Sequence, residues 1–308
     1  MIKFGTGGWR AIIGEEFTKE NIQKLALAMS LKIKAEHVED KPVVIGYDRR
    51  FLSKEAVIWS CEIFGQQGIK VLFVDRSSPT PLIMFYVMKH DLSYGMMVTA
   101  SHNPAIYNGI KVFTKGGRDA DEHQTADIER YLEQADKLYV PDLEENGQMP
   151  PHAYQELVKN GQVVEMNPMN EYLDNIISLI NLDAIRERDL RIAIDPMYGV
   201  SLTALCTILS IARCTVETIN AQHDTLFGGK MPAPTESTLR NLQNYVLDRY
   251  CDIGIATDGD ADRLGVIDDK GHYLHANTIL VMLYYYLLKY RGWRGPAVRN
   301  LSTTHVLD

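Results

Sequence analysis

Apolar runs too short to be helices alternate along this chain with stretches of helical periodicity, and that alternation restricts the fold more than any other feature. From Thr18 the residues Ile22, Leu25, Ala26, Met29 and Ile33 recur at helical spacing, with Thr18 placed to cap the first turn. The β-branched run PVVIGYD (42–48) reads as a buried strand. A helix over 53–67, a strand over 69–75, a helix after Pro81 and a strand over 94–100 follow. Strands separated by helices of about a dozen residues make βαβ units. Between about 136 and 168 the pattern dissolves into a stretch rich in Pro, Gly and acidic residues, which reads as a domain boundary. It resumes with a helix over 170–180, a strand over 191–196, a helix after Gly199, a strand over 214–219, a helix over 235–249, a strand over 252–258 and a hairpin over 265–275. A helix from Asn277 and a strand AVRNLS (297–302) look like the opening of a third unit, too short to bury its own core. The expectation is an α/β fold of successive three-layer αβα domains with mixed, mostly parallel sheets. The first domain would cover 1–165, the second 166–272, and a truncated third would start at 273 and run to 308.

Composition narrows the function. A net charge of -8 argues against a broad nucleic-acid or anionic-membrane surface. The amino terminus enters a glycine-rich motif without the apolar core of a signal peptide, and the most apolar window, TILVMLYYYLL (278–288), is shorter than a bilayer requires. That window reads as a buried helix, and the protein as cytoplasmic, with no nucleic-acid or membrane partner. Cys61, Cys206, Cys214 and Cys251 lie far apart with no C-x-x-C pair, which suits buried free thiols better than zinc or disulfides.

Three motifs carry chemistry. The strand over 94–100 runs into TASHNP, so Ser101 stands where an α/β sheet opens its ligand crevice. An Asn-Pro turn would explain the same residues without chemistry. The flanking Thr99 and Asn103 exclude a hydrolase nucleophile elbow, which needs glycines there. In TDGDADRLGVID, Asp258, Asp260 and Asp262 follow a strand at alternate positions; three carboxylates so close repel unless a hard cation sits among them. An EF-hand is excluded because its glycine position holds Arg263 and its glutamate position Asp269, which leaves a solvated acidic turn as the alternative. FGTGGWR (4–10) offers flexible backbone with Thr6 and Arg10 as phosphate contacts, although a plain glycine turn fits as well; GYDRR (46–50) adds Arg49 and Arg50, readable as surface arginines. A serine, a cation site, and nearby His102 and Lys111 are the parts phosphoryl transfer needs.

With FGTGGWR, TASHNPAIYNGIK and DGDADR in this order, the chain resembles the α-D-phosphohexomutase superfamily, the phosphoglucomutases and phosphomannomutases. The resemblance implies a phosphoserine at Ser101, whose phosphate oxygen completes a Mg²⁺ site made by Asp258, Asp260 and Asp262. Lys111 would be the general acid/base, His102 would assist, and Thr6, Arg10 and Arg263 would contact substrate phosphate. The implied reaction interconverts hexose 1-phosphate and hexose 6-phosphate through a hexose 1,6-bisphosphate, with glucose 1,6-bisphosphate as activator. Sugar recognition and the distal phosphate clamp belong to the family's third and fourth domains, so residues 1–308 alone are expected to turn over poorly. The YNGIK variant looks closer to phosphoglucomutase and phosphomannomutase types; phosphoglucosamine mutase and a non-catalytic sugar-phosphate sensor are the alternatives, and retention of Ser101 with all three aspartates disfavours the sensor.

Overall fold

The computed structural model describes residues 2–5, 8–139 and 153–307. In chain order the first unit contains β1 (Trp9–Ile12), α1 (Lys19–Ala35), β2 (Val43–Tyr47), α2 (Ser53–Gln66), β3 (Val71–Val74), α3 (Thr80–Lys89), β4 (Tyr94–Val98), β5 (Tyr107–Thr114), β6 (Arg118–Asp119), α4 (Glu122–Leu138), α5 (Ala153–Lys159) and β7 (Val163–Met166). After α6 (Met169–Leu179) and α7 (Leu182–Arg186), the second unit runs through β8 (Arg191–Asp195), α8 (Leu202–Ile211), β9 (Thr215–Thr218), α9 (Arg240–Asp248), β10 (Ile253–Thr257), β11 (Leu264–Asp268) and β12 (Tyr273–Leu274), followed by α10 (Ala276–Lys289).

The period-two alternation of each central strand explains the three layers. Val43, Ile45 and Tyr47 of β2 point into the core under α1, α2 and α4, while Val44 joins Leu82, Ile83 and Val87 of α3 on the opposite face. Likewise Ile192 and Ile194 of β8 pack with Leu209 of α8, and Ala193 packs with Leu242 and Val246 of α9. Strands buried on both faces can carry apolar residues continuously, as the sequence of β2 does. Thr18 caps α1 by accepting from the Asn21 amide at 3.3 Å.

Both sheets are mixed. The first is ordered β1-β5-β4-β2-β3-β7, parallel from β4 through β7 and antiparallel where β5 meets β4 and β1. The second is ordered β12-β11-β10-β8-β9, parallel around β8 and antiparallel beyond β10. The parallel strands β4 and β10 lie centrally, and their carboxyl ends carry the serine motif and the aspartate motif.

Several local expectations change. The stretch read as a domain boundary between 136 and 168 holds α5 and β7, and β7 pairs in parallel with β3 as the last strand of the first sheet. The glycine-rich start is in part β1, bound antiparallel to β5, with Arg10 opposite Gly109. The helix expected from 235 begins at Arg240, because the Thr235 amide is taken by the Thr238 hydroxyl at 3.0 Å in a turn that competes with helix. AVRNLS forms no strand; it finds no sheet edge among the described residues. The helix over 276–289 exists but is not buried, and its Met282, Leu283, Tyr285 and Tyr286 are exposed. All four cysteines are free, Cys61 and Cys251 buried and Cys206 and Cys214 only half-buried. No helix among the described residues is long and apolar enough to cross a membrane.

Candidate active site

Ser101 follows β4 in the left-handed region (φ 52°), a conformation that a side chain disfavours unless its surroundings impose it. It is buried, and its Oγ donates a 2.8 Å hydrogen bond to Asp258 Oδ2, a residue 157 positions away on the other sheet. The two loops meet backbone to backbone: a Cβ on Gly259 would stand 2.8 Å from the Ser101 carbonyl oxygen, so only glycine permits this approach.

The three aspartates of the motif converge, each offering an oxygen within 4.8 Å of the others. Asp258 and Asp260 are fully buried. Burial, and then the charges of Asp260 and Asp262, push the Asp258 carboxyl up to about 8. Asp258 Oδ1 accepts from the backbone amides of Asp262 and Arg263, both at 3.1 Å. Asp260 Oδ2 accepts from Lys111 Nζ at 2.8 Å and Thr80 Oγ1 at 2.7 Å, whereas its buried Oδ1 has no hydrogen-bond partner among the described residues. An all-oxygen set of three carboxylates beside a hydroxyl, with one buried carboxylate oxygen unsatisfied, fits a small hard divalent cation such as Mg²⁺.

Lys111 reaches the site on a strand. The chain reverses at Pro104–Tyr107, where the Tyr107 amide donates to the Pro104 carbonyl at 3.0 Å, and β5 then runs back beside β4 with Lys111 opposite Met97. Its ammonium lies 2.6 Å from Asp262 Oδ2 as well as against Asp260. Burial alone would lower its pKa, but Asp260 and Asp262 outweigh that and hold the ammonium above its ordinary range. His102 Nδ1 is 3.4 Å from Ser101 Oγ; burial, then Arg263 and Arg10, lower its pKa and favour the neutral ring. Arg263 is half-exposed at the mouth, its Nε 4.0 Å from Asp258 Oδ2. Arg10 Nη1 donates to Asn103 Oδ1 at 2.9 Å beside the serine loop. Thr6 lies outside the described residues. Ser101, His102, Lys111, Asp258, Asp260 and Asp262 therefore share one crevice at the carboxyl ends of two sheets, with Arg10 and Arg263 at its margins.

Sequence reasoning missed Arg50, Asp48 and Thr80. Arg50, read as a surface arginine, is buried, and its guanidinium binds the carbonyl oxygens of Ser101 and Asn103 through Nη2 (2.6 and 2.7 Å) and of Pro104 and Tyr107 through Nη1 (2.9 and 3.0 Å). No local signal marked it; only the sheet order, in which β2 lies beside β4, brings the GYDRR loop against the serine loop.

The family description "Phosphoglucomutase/phosphomannomutase, alpha/beta/alpha domain I" matches residues 1–139, and the corresponding domain II matches residues 170–271. A probable phosphoglucosamine mutase of Pyrococcus abyssi is 32% identical over 308 residues, covering 99% of this chain and 62% of its own length. A phosphoglucomutase/phosphomannomutase of Thermococcus kodakarensis is 29% identical, covering 99% of the chain and 63% of itself. Among solved structures, a Thermus thermophilus protein assigned as a phosphomannomutase superposes with a TM-score of 0.85 at 27% identity, over 99% of this chain and 65% of that one. The chain thus spans just under two thirds of the length of these relatives. Two matched domains in family order, on sheets that bring the serine and aspartate loops together, establish that the chain belongs to the phosphoglucomutase/phosphomannomutase family of the α-D-phosphohexomutase superfamily.

Proposed function

We propose that this chain holds the phosphoserine and cation-binding parts of a phosphohexomutase that interconverts hexose 1-phosphate and hexose 6-phosphate through a hexose 1,6-bisphosphate. The observation that carries the reading is the 2.8 Å bond from Ser101 Oγ to Asp258 Oδ2, which sets a buried hydroxyl against a carboxylate cluster suited to a cation. In the forward step the phosphoserine Oγ–P bond breaks as a sugar hydroxyl oxygen bonds to phosphorus, and the proton that the hydroxyl gives up ends on the released Ser101 Oγ. After the bisphosphate reorients, the other phosphoryl group returns to Ser101 Oγ.

Each residue has a role that its position supports. Asp258, Asp260 and Asp262, with Ser101 or its phosphate, would hold Mg²⁺, which when bound supplies charge neutralisation at the phosphoryl oxygens. Lys111, held charged against Asp260 and Asp262, donates to the reacting oxygens and takes part in proton transfer. The neutral His102 ring beside Ser101 Oγ can exchange a proton there. Arg10 and Arg263 offer guanidinium groups for substrate phosphate, a role Thr6 would share.

The test is phosphoserine formation. After incubation with glucose 1,6-bisphosphate and Mg²⁺, peptide mapping should find one phosphate, on Ser101, and none on the Ser101→Ala protein. Label on another residue, or equal label on Ser101→Ala, would refute the assignment. Relatives carry both phosphoglucosamine mutase and phosphoglucomutase/phosphomannomutase names, so glucose, mannose and glucosamine 1-phosphates are the substrates to compare, with glucose or mannose expected to lead.

A further inference from the structure

We infer that Arg50 is a positioning residue for phosphoryl transfer: its guanidinium fixes the backbone of Ser101 and ties the serine loop to the unit that carries the aspartates. This rests on the phosphoserine reading above and adds to it a residue that touches none of the reacting atoms.

The geometry converges on one side chain. Four carbonyl oxygens of the loop, from Ser101, Asn103, Pro104 and Tyr107, accept hydrogen bonds from the two terminal nitrogens of Arg50. The remaining nitrogen, Nε, lies 3.2 Å from Asp48 Oδ2, and both side chains are completely buried. The same Asp48 oxygen accepts from Thr99 Oγ1 at 2.7 Å, and Thr99 Oγ1 in turn accepts from the Ser101 amide at 2.8 Å. One ion pair therefore secures the Ser101 peptide from both sides, the carbonyl directly and the amide through Thr99. Asp48 is itself held through Oδ1, which accepts from the Arg50 amide and the Ser53 hydroxyl, each at 2.9 Å.

The guanidinium carbon of Arg50 lies over the ring of Phe227, a buried residue of the second unit, 4.8 Å from its centroid. Phe227 also borders Gly259, the residue between two of the aspartates, since a Cβ there would meet Phe227 Cε1 at 3.4 Å. Arg50 thus spans the seam directly behind Ser101 and Asp258.

A buried ion pair is a weak source of stability, because desolvation offsets most of its attraction. What it does supply is direction. A planar fork with five N–H donors can serve four carbonyls at fixed angles, which a lysine ammonium with three donors cannot. Holding Ser101 in its left-handed conformation aims Oγ at Asp258, and in-line transfer depends on that aim.

The experiment uses the 308-residue chain and measures phosphate transfer from glucose 1,6-bisphosphate to Ser101 in single turnover, with Mn²⁺ affinity followed separately by titration. For Arg50→Lys the rate constant at saturating bisphosphate should fall about 100-fold, while the half-saturating bisphosphate concentration and the Mn²⁺ affinity stay within about twofold. Phe227→Leu keeps all four carbonyl bonds and should lower the rate constant about tenfold with the same split. A folded Arg50→Lys protein that labels Ser101 at the wild-type rate overturns the inference, as does a loss seen equally in Mn²⁺ affinity, which marks a merely structural role. Should Arg50→Lys fail to fold, Phe227→Leu decides, and an unchanged rate there overturns the inference. An unlabelled wild-type Ser101 would overturn the phosphoserine reading itself, an outcome distinct from a labelled wild type with an unimpaired Arg50 variant.

Discussion

Thr80 is joined twice to Asp260 across the seam between the two sheets: its amide donates to the Asp260 carbonyl at 2.9 Å, and its hydroxyl donates to Asp260 Oδ2 at 2.7 Å. Both residues are buried, so the amino end of α3 holds one of the proposed cation ligands in place. Removing the hydroxyl by Thr80→Val leaves the backbone bond but takes a donor from a buried carboxylate. Metal-free protein should lose about 1.5–3 kcal/mol of stability, measured by urea unfolding. A change indistinguishable from zero would mean that Lys111 alone satisfies that oxygen.

Asp260→Asn should uncouple stability from divalent metal. A cation that binds only the folded state at a hundred times its dissociation constant stabilises it by about 2.7 kcal/mol. The wild-type melting temperature should therefore rise with Mg²⁺, and that of Asp260→Asn should rise far less. Equal Mg²⁺ responses in the two proteins would remove Asp260 from the ligand set.

Lys111→Met should act on stability and on chemistry together. Its loss leaves buried Asp260 and neighbouring Asp262 without their counter-charge, at a cost of about 3–5 kcal/mol in the absence of metal. Phosphoryl transfer should fall by about 10²–10⁴-fold, the usual worth of a positioned acid or base. A protein that melts earlier yet transfers phosphate at nearly the wild-type rate would confine Lys111 to electrostatic support of the aspartates.

Glu217 supplies a pH dependence remote from the site. Hydrogen bonds from Tyr245 at 2.7 Å, Arg191 Nε at 2.8 Å and Arg249 Nε at 2.9 Å lower its carboxyl to about 2. Because the folded value lies below the unfolded one, this contribution is complete above the ordinary glutamate range and disappears as pH falls from about 4.5 through about 2. Unfolding midpoints of wild type and Glu217→Gln should differ at neutral pH and converge on acidification. A gap that stays constant down to about pH 2 would contradict the linkage.

What the sequence disclosed and what it hid divide along a physical line. Strands β2, β4, β8 and β10 announced themselves because burial on both faces demands continuous apolar runs, and the serine and aspartate motifs stand at the carboxyl ends of two of them. Ser101 and the three aspartates could be picked out as local motifs, since their spacing is a property of neighbours in the chain. Arg50 could not, because nothing beside it in sequence distinguishes an arginine in water from one chelating four carbonyls. Strand β5 has no apolar run of its own because Asn108 and Gly109 interrupt it, yet Gly109 is required by the Trp9 carbonyl, only 2.1 Å from where a Cβ would sit. The tyrosine-rich helix α10 misled in the opposite sense, for apolar composition says that a face wants cover and not what covers it.

The contact between Gly259 and the Ser101 carbonyl makes the meeting of Ser101 with Asp258 a property of alignment between two folding units. No side chain fits at that seam, and a displacement along it would draw the hydroxyl away from its carboxylate. A substitution far from the serine that tilts one unit against the other would leave every side chain of the crevice in place and still part the hydroxyl from its carboxylate.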